Sequence, residues 1–508
     1  MKIPAYWKPS VPCDTSLHPC PNVASVVVDC FWKVILEHET CYDGNVFEEK
    51  LLEIVHHPER TSSVLMRTDI LSDEQLDSLE KGLENSEVSI DGFVLRRKLH
   101  RRLVPRNPFI DRKMTQSVFV FHEDIAGTEK TAQPKRIVLF VPDLDEQAEG
   151  LYQNLPYYHP PVAAVAWIFE GPKIKLAYNI PTSIPTNPED PLVYRLGRTA
   201  NALLLILHRH CKGFVEGYKK RMHHDTVVER NAFQDTYVDL KTRYARKLVA
   251  DWVERTDPKK HVFEDLAIAA FLIELWKQRP ETSDKKNFSF VDIGCGNGLL
   301  VHILISEGYK GYGFDARERK SWAIFPDNVR ECLRENILVP HFLPQADALE
   351  TLRKENEENA FVKVHNGKFA PNTFLIGNHS DELTPYIPLL AALTPNSGYI
   401  SIPCCIYDLA GAKVSWDLPK PRNPDHAGRY ASYVEWTRQL AEQTGWEVEI
   451  EPLRIPSTRN YALIGRKCDL HEREDALDQI LSTIQKNHGA EGFLSRAIKV
   501  ISTKERGH

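Results

Sequence analysis

The chain has 508 residues, 42% apolar and 26% charged, an ordinary globular balance with room for about two to four domains. A net charge of −6 argues against a uniformly basic nucleic-acid glove, and apolar runs such as Leu266–Ile273 are far too short to span a bilayer. Met1–Pro12 has Lys2 and Lys8 but no apolar signal core, so the expected compartment is the cytoplasm. The ten cysteines form no CxxC pair; Cys13, His18 and Cys20 lack a second ligand pair, and no metal is expected.

Residues 1–235 read as an α+β domain. A dense basic run, Arg96-Arg97-Lys98-Leu99-His100-Arg101-Arg102, comes first. Ser117–Phe121, Arg136–Val141, Val162–Phe169 and Lys173–Tyr178 are short, β-rich and separated by turn residues, which predicts a small sheet. A long helix near Val193–Tyr218 follows, with Leu203, Leu204, Leu207 and Phe214 at core spacing and His208 and His210 on its surface. Lys219-Lys220-Arg221 is a second basic run, and acidic clusters stand apart at Asp143–Glu149 and Glu355–Glu358. A basic face on an acidic body suits RNA; the same runs also suit plain solvated faces.

From Asp239 to Lys277 the pattern is helical, with Tyr244, Leu248 and Trp252 on a core face and a break at Thr256-Asp257-Pro258. Arg279–Lys286 is a polar linker. Strand, glycine turn and helix then follow at Phe288–Glu307, with further strands at Gly311–Phe314, His341–Gln345, Thr373–Ile376 and Gly398–Pro403. Strands alternating with helices predict α/β architecture with a parallel sheet, closed by a hairpin of Trp446–Pro452 and Tyr461–Gly465. Trp416–Arg429, rich in proline and charge, reads as a mobile loop, and Asp475–Val500 as one or two helices. The expected divisions are 1–235, 236–470 and a C-terminal helical tail, 471–508.

Val291-Asp292-Ile293-Gly294-Cys295-Gly296-Asn297-Gly298 ends a strand and opens a helix. Its spacing is an Asp-led GxGxG, not the GxGxxG that seats a pyrophosphate on a helix N-terminus. Gly294, Gly296 and Gly298 allow a tight turn and close approach of a ligand. Asp292 is placed for the ammonium of a methionine moiety, Asp315 for a ribose diol at the next strand end, and Asp347 for an adenine amino group. Together they predict S-adenosylmethionine as cofactor, on a Rossmann-like methyltransferase domain with a mostly parallel seven-stranded sheet; a structural glycine turn with capping acids is the plainer alternative.

VDIGCGNGLLVHILISEGYKGYGFDARERK, Val291–Lys320, resembles the tRNA (uracil-2′-O-)-methyltransferase family. So do Gly377–Pro385 (GNHSDELTP), Thr256–Asp265 (TDPKKHVFED), Ile402–Cys405, Pro456–Asn460, Arg102–Pro108 (RLVPRNP) and Tyr158–Pro160. The resemblance implies methylation of the ribose 2′-hydroxyl of a uridine, at tRNA position 44 in serine tRNAs.

In an open α/β sheet the chemistry lies at the carboxyl ends of the strands. There the loop after the fourth strand offers His379 as base or orienter, with Asp381 and Glu382 as alternatives and Asn378 beside the cofactor. Ser380 or Asp381 as a mere cap of a helix Glu382–Leu393 is the competing reading. Lys259 and Lys260 stand where cations sit poorly, at a helix N-terminus, which suggests substrate binding for Lys259 and catalysis for Lys260. Arg459, in a hairpin turn, is a phosphate ligand or an exposed turn residue. RNA contacts in the first domain are expected from Arg97, Arg101 and Lys220. The alternatives are a methyltransferase acting on a protein or small molecule, and a non-catalytic RNA-binding scaffold.

Overall fold

The computed structural model describes residues 7–23, 29–76, 88–124, 134–143, 155–218 apart from 186 and 188, 224–278, 288–343, 363–423, and 427–502 apart from 472. The chain divides into two units, Met1–Lys219 and Lys220–His508. The division falls before the expected 235 because helix α3 (Arg230–Leu240) packs Phe233 and Leu240 into the core of the second unit.

In the first unit the long strands are β1 (Cys30–Glu39), β2 (Leu65–Gln75), β3 (Phe93–Pro105), β4 (Met114–Glu123), β5 (Arg136–Pro142), β6 (Ala164–Glu170) and β7 (Lys173–Pro181). They form one antiparallel sheet in the order β1-β7-β6-β5-β4-β3-β2, wider than the sheet expected. Both faces are buried, and alternation sorts them. Val118, Val120 and Val138 face α1 (Gly44–His56) and α2 (Pro191–Val215), while Phe119, Phe121 and Ile137 face Leu17, Val88 and Ile90. Asp43 and Asp190 cap the two helices, accepting from Val46 N and Leu192 N. His208 is not on the helix surface as expected. It shares a buried face of α2 with Leu204 and Cys211, and Tyr42 Oη lies 3.3 Å from its Nδ1.

The second unit contains β8 (Ser289–Ile293), β9 (Gly311–Asp315), β10 (Leu333–Glu335), β11 (Thr373–Asn378), β12 (Gly398–Ile402), β13 (Trp446–Pro452) and β14 (Tyr461–Cys468). Their order is β10-β9-β8-β11-β12-β14-β13, parallel up to β12 and antiparallel for the final hairpin. The third strand is Leu333–Glu335 rather than His341–Gln345. His341–Leu343 form a turn, and three residues with two charges gave no period to read. Helices α4 (Pro258–Lys277) and α5 (Leu299–Ser306) cover one face of the sheet with α3. The other face packs α6 (Tyr386–Ala392), α7 (Arg429–Gln443), α8 (Ala476–Lys486) and α9 (Phe493–Ser502). The two terminal helices pack on the second unit: Ile480, Ile484 and Phe493 belong to that core. Trp416, in the expected mobile loop, stacks on His488 at 4.3 Å and meets Trp436 edge-on; residues 424–426 lie outside the described residues.

The strand order reverses between β8 and β11, and such a switch point opens a crevice at the carboxyl ends of the strands. Among the described residues no helix is long and apolar enough to cross a membrane.

Candidate active site

The crevice is built from the turns after β8, β9, β11 and β12 and from one turn of α4. Gly294, Gly296 and Gly298 have φ of +77°, +52° and +75°, conformations that L side chains rarely adopt. A Cβ on Gly298 would press Leu333 and Trp322 at 3.0–3.1 Å, and one on Gly294 would reach Ser380 at 3.3 Å. One on Gly296 would meet nothing within 4 Å, so this glycine borders open space. Trp322 Nε1 donates to Gly296 O at 3.0 Å, and Gly296 N donates to Asp315 Oδ2 at 2.9 Å. These bonds brace the turn against the end of β9.

Asp292 is 1% exposed, and its Oδ1 has no hydrogen-bond partner. Burial, reinforced by the charges of Asp265 and Asp315, pushes its carboxyl well above the usual range. Asp265, on α4, is pushed up to about 7 by burial and by Glu264 beside it. Burial also raises Asp315, against the pull of Arg319 and the turn amides. Converging buried acids with an unsatisfied oxygen make a cation receptor. S-adenosylmethionine, with its ammonium and sulfonium charges, fits this cluster and the open glycine turn.

β11 ends in a strained loop. Asn378 donates from Nδ2 to Asp265 Oδ1 at 3.2 Å, while its own buried Oδ1 is unpartnered. His379 and Asp381 adopt φ of +52° and +45°, a conformation that costs a non-glycine residue about 1–3 kcal/mol. The loop therefore holds these side chains against a local preference. His379 N donates to Ile402 O at 3.2 Å, tying the loop to β12. His379 Nε2 lies 3.0 Å from Glu264 Oε1, and its buried Nδ1 has no partner. Ser380 Oγ and Thr384 Oγ1 are also buried without partners. Burial, with the charges of Asp381 and Asp315, raises the Glu382 carboxyl. Residues 381–383 form one 3-10 turn, and neither Ser380 nor Asp381 caps α6 through its side chain, contrary to the capping alternative.

Cys404 Sγ donates to Asp381 Oδ1 at 3.1 Å, and the donor atoms of Asp381, Cys404 and Cys405 lie within 4.8 Å of one another. Burial raises both thiols, so they are protonated neighbours of the loop rather than thiolates. Arg459 is not an exposed turn residue. Its guanidinium lies 4.5 Å from the centre of the Tyr430 ring, Nη1 is buried without a partner, and Tyr430 Oη donates to Pro403 O, one residue before Cys404.

The expected residues therefore divide. Asp292, the three glycines, Asp315, Asn378, His379, Asp381 and Glu382 meet at the strand ends. Lys259 and Lys260 are exposed in the first turn of α4, with Asp257 accepting from Lys259 N; Lys260 lies one turn before Glu264 on the same helix face. Asp347 and Lys220 lie outside the described residues. Arg97 and Arg101 are both engaged by neighbouring groups of the first sheet. Arg101 alternates with Leu99 and Leu103 on the buried side of β3, where Gln116 Oε1 and Val55 O take its donors. Arg97 makes two bonds to the Asp73 carboxylate, at 2.7 and 2.6 Å.

Comparison with known proteins matches residues 12–221 to a family described as TRM44-like, N-terminal bet v1-like domain. Residues 227–340 match a family described as predicted AdoMet-dependent methyltransferase. A tRNA (uracil-O(2)-)-methyltransferase of Schizosaccharomyces pombe is 51% identical over the whole of both chains. Those of Neurospora crassa and Saccharomyces cerevisiae are 39% and 32% identical, over 93% and 91% of both chains. The chain belongs to the tRNA (uracil-O(2)-)-methyltransferase family.

Two acids of this family member escaped the sequence reading. Glu264 and Asp265 sit in a helix that is apolar from Val262 to Trp276 apart from them and Glu274, and buried there except at Phe263. Two adjacent carboxylates in such a run were the available signal, because buried charge requires a partner. Both point to the crevice, one to His379 and one to Asn378.

Proposed function

We propose that this protein transfers the methyl group of S-adenosylmethionine to the ribose 2′-hydroxyl of a uridine in tRNA, with uridine 44 of serine tRNAs as the acceptor. The second unit is read as a Rossmann-like catalytic domain and the first as the part that recognises tRNA, in the cytoplasm. The observation that carries the chemistry is the His379 imidazole, held at Nε2 by Glu264 with Nδ1 buried and unengaged.

The cofactor supplies a methyl carbon already activated by its sulfonium, so the chain has to align and deprotonate a weakly acidic hydroxyl. Asp292 would hold the methionine ammonium, Asp315 the ribose diol and Asp347 the adenine, against Gly294, Gly296, Gly298 and Asn378. Glu264 accepts the Nε2 proton of His379, which leaves Nδ1 as the lone-pair nitrogen. His379 Nδ1 would take the hydroxyl proton once the strained loop shifts to admit the ribose, and Glu264 would stabilise the imidazolium that forms. Asp381 and Glu382 hold the loop and the field around it. Lys259, Lys260 and Arg459 would grip backbone phosphate.

The test is transfer of label from S-adenosylmethionine to unfractionated tRNA, followed by digestion to nucleosides. Label in 2′-O-methyluridine, enriched in serine tRNAs, is expected. Label in a base, or in protein and not RNA, would overturn the reading.

A further inference from the structure

The first unit carries a surface that the site chemistry leaves unused. Residues 106–113 leave β3 as a turn that lifts Phe109 and Ile110 into water, at 79% and 77% exposure. Tyr157 and Tyr194 are 65% and 67% exposed. Scattered exposed apolar side chains need no explanation, but these are joined by a built framework. Asn107 Oδ1 accepts from Phe109 N at 3.1 Å. Asp111, the single acid of the segment, is buried and accepts from Tyr157 N at 3.2 Å. Tyr158 Oη donates to Arg112 O at 2.8 Å. Arg195, on α2 beside Tyr194, donates to Tyr157 O at 3.2 Å and lies 4.6 Å from the centre of the Tyr157 ring.

The acid is turned inward while the cations face out. Arg106, Arg112 and Lys113 are exposed, and so is Arg198, one helical turn beyond Tyr194. A protein partner would favour a closed apolar centre with few charges. Exposed rings interleaved with arginine and lysine match single-stranded nucleic acid, whose bases stack while its phosphates meet cations.

We propose that Phe109, Ile110, Tyr157 and Tyr194, with Arg112, Lys113 and Arg195, form a binding site for unpaired nucleotides of the RNA substrate. The proposal rests on the tRNA reading above. It is tested with the full chain and unfractionated tRNA, by measuring binding over a salt series. Tyr157→Ala with Phe109→Ala removes rings, and Arg112→Gln with Lys113→Gln removes charge, all at exposed positions. The ring variant is expected to bind roughly ten- to hundredfold more weakly with its salt dependence kept. The charge variant is expected to lose about one to two units of the slope of log affinity against log salt. Unchanged S-adenosylmethionine affinity and thermal melting in both variants separate loss of a site from loss of the fold. Wild-type affinity and slope in both variants, with wild-type protein methylating tRNA, would overturn this site alone. The same surface capturing a protein while tRNA binding stays unaltered would overturn it too. Wild-type protein that neither binds nor methylates tRNA would overturn the functional reading, and this site with it.

Discussion

Glu264 Oε1 lies 3.0 Å from His379 Nε2, across 115 positions of sequence, and fixes which nitrogen of the imidazole carries the proton. A carboxylate only accepts, so Nε2 donates and Nδ1 keeps its lone pair. His379→Ala is expected to cut kcat by about 10²–10⁴-fold, with cofactor affinity within about twofold of wild type. Glu264→Gln tests the positioning role, because a glutamine can present its amide NH₂ to Nε2 and favour the other tautomer. A fall in kcat without a matching change in KM is expected, with the ¹⁵N resonance of His379 Nε2 moving from protonated to unprotonated. Near wild-type turnover in both variants would remove His379 as the base.

The three glycines separate cofactor space from fold space. Gly296→Ala places a methyl where nothing stands within 4 Å, so its cost to the fold is about 1 kcal/mol for the positive φ. S-adenosylmethionine affinity should fall at least tenfold. Gly298→Ala presses on Leu333 and Trp322 and should lower the melting temperature more than Gly296→Ala does. Calorimetric titration and thermal melts of the two variants read these effects independently. Equal losses of stability with intact cofactor binding would mean that Gly296 does not border the cofactor.

The contrast between these residues and the first unit shows what a sequence can carry. The strand, glycine turn and helix around Val291–Gly298 is local, and its glycines with Asp292 and Asp315 stand at the ends of adjacent strands, so β8, β9, β11 and β12 were legible. β2 and β3 were not. Their alternation is broken by register shifts near Ile70 and Leu95, and one side of each strand is charged. A run of arginines therefore looked like a surface stripe, although period two sends Arg101 inward with Leu99 and Leu103. Glu264 was hidden for a different reason: its role depends on His379, a partner that only the tertiary fold brings near.

Asp265 should make the cofactor-free protein sensitive to pH. Its carboxyl is raised to about 7 in the fold from an ordinary value near 3.8. Between those values the folded state binds the proton and the unfolded state does not, so stability falls as pH rises through the window and levels above it. Asp265→Asn keeps an oxygen for Asn378 Nδ2 and removes the buried charge. At pH 8 the variant should melt at a higher temperature than wild type without cofactor, the gap shrinking toward pH 5. Saturating S-adenosylmethionine should narrow the gap at pH 8 by supplying the missing cation. A gap independent of pH would show that Asp265 carries no such charge.

Arg101 distinguishes a structural cation from an RNA contact. Its Nη1 donates to Val55 O at 2.7 Å and its Nε and Nη2 to Gln116 Oε1, while Phe140 lies 4.9 Å from its guanidinium. Arg101→Ala leaves two buried acceptors without this donor and opens a cavity, a loss of about 2–4 kcal/mol. Denaturant unfolding should show a lower midpoint for the first unit. At a temperature where the variant is folded, its tRNA affinity and salt dependence should match wild type, because this residue is only 4% exposed and its donors are taken by Val55 and Gln116. Arg97→Ala, which frees the Asp73 carboxylate at a half-exposed site, should change stability by less than about 1 kcal/mol. A tRNA affinity that drops in Arg101→Ala while stability holds would restore the arginine run of β3 as an RNA-binding element.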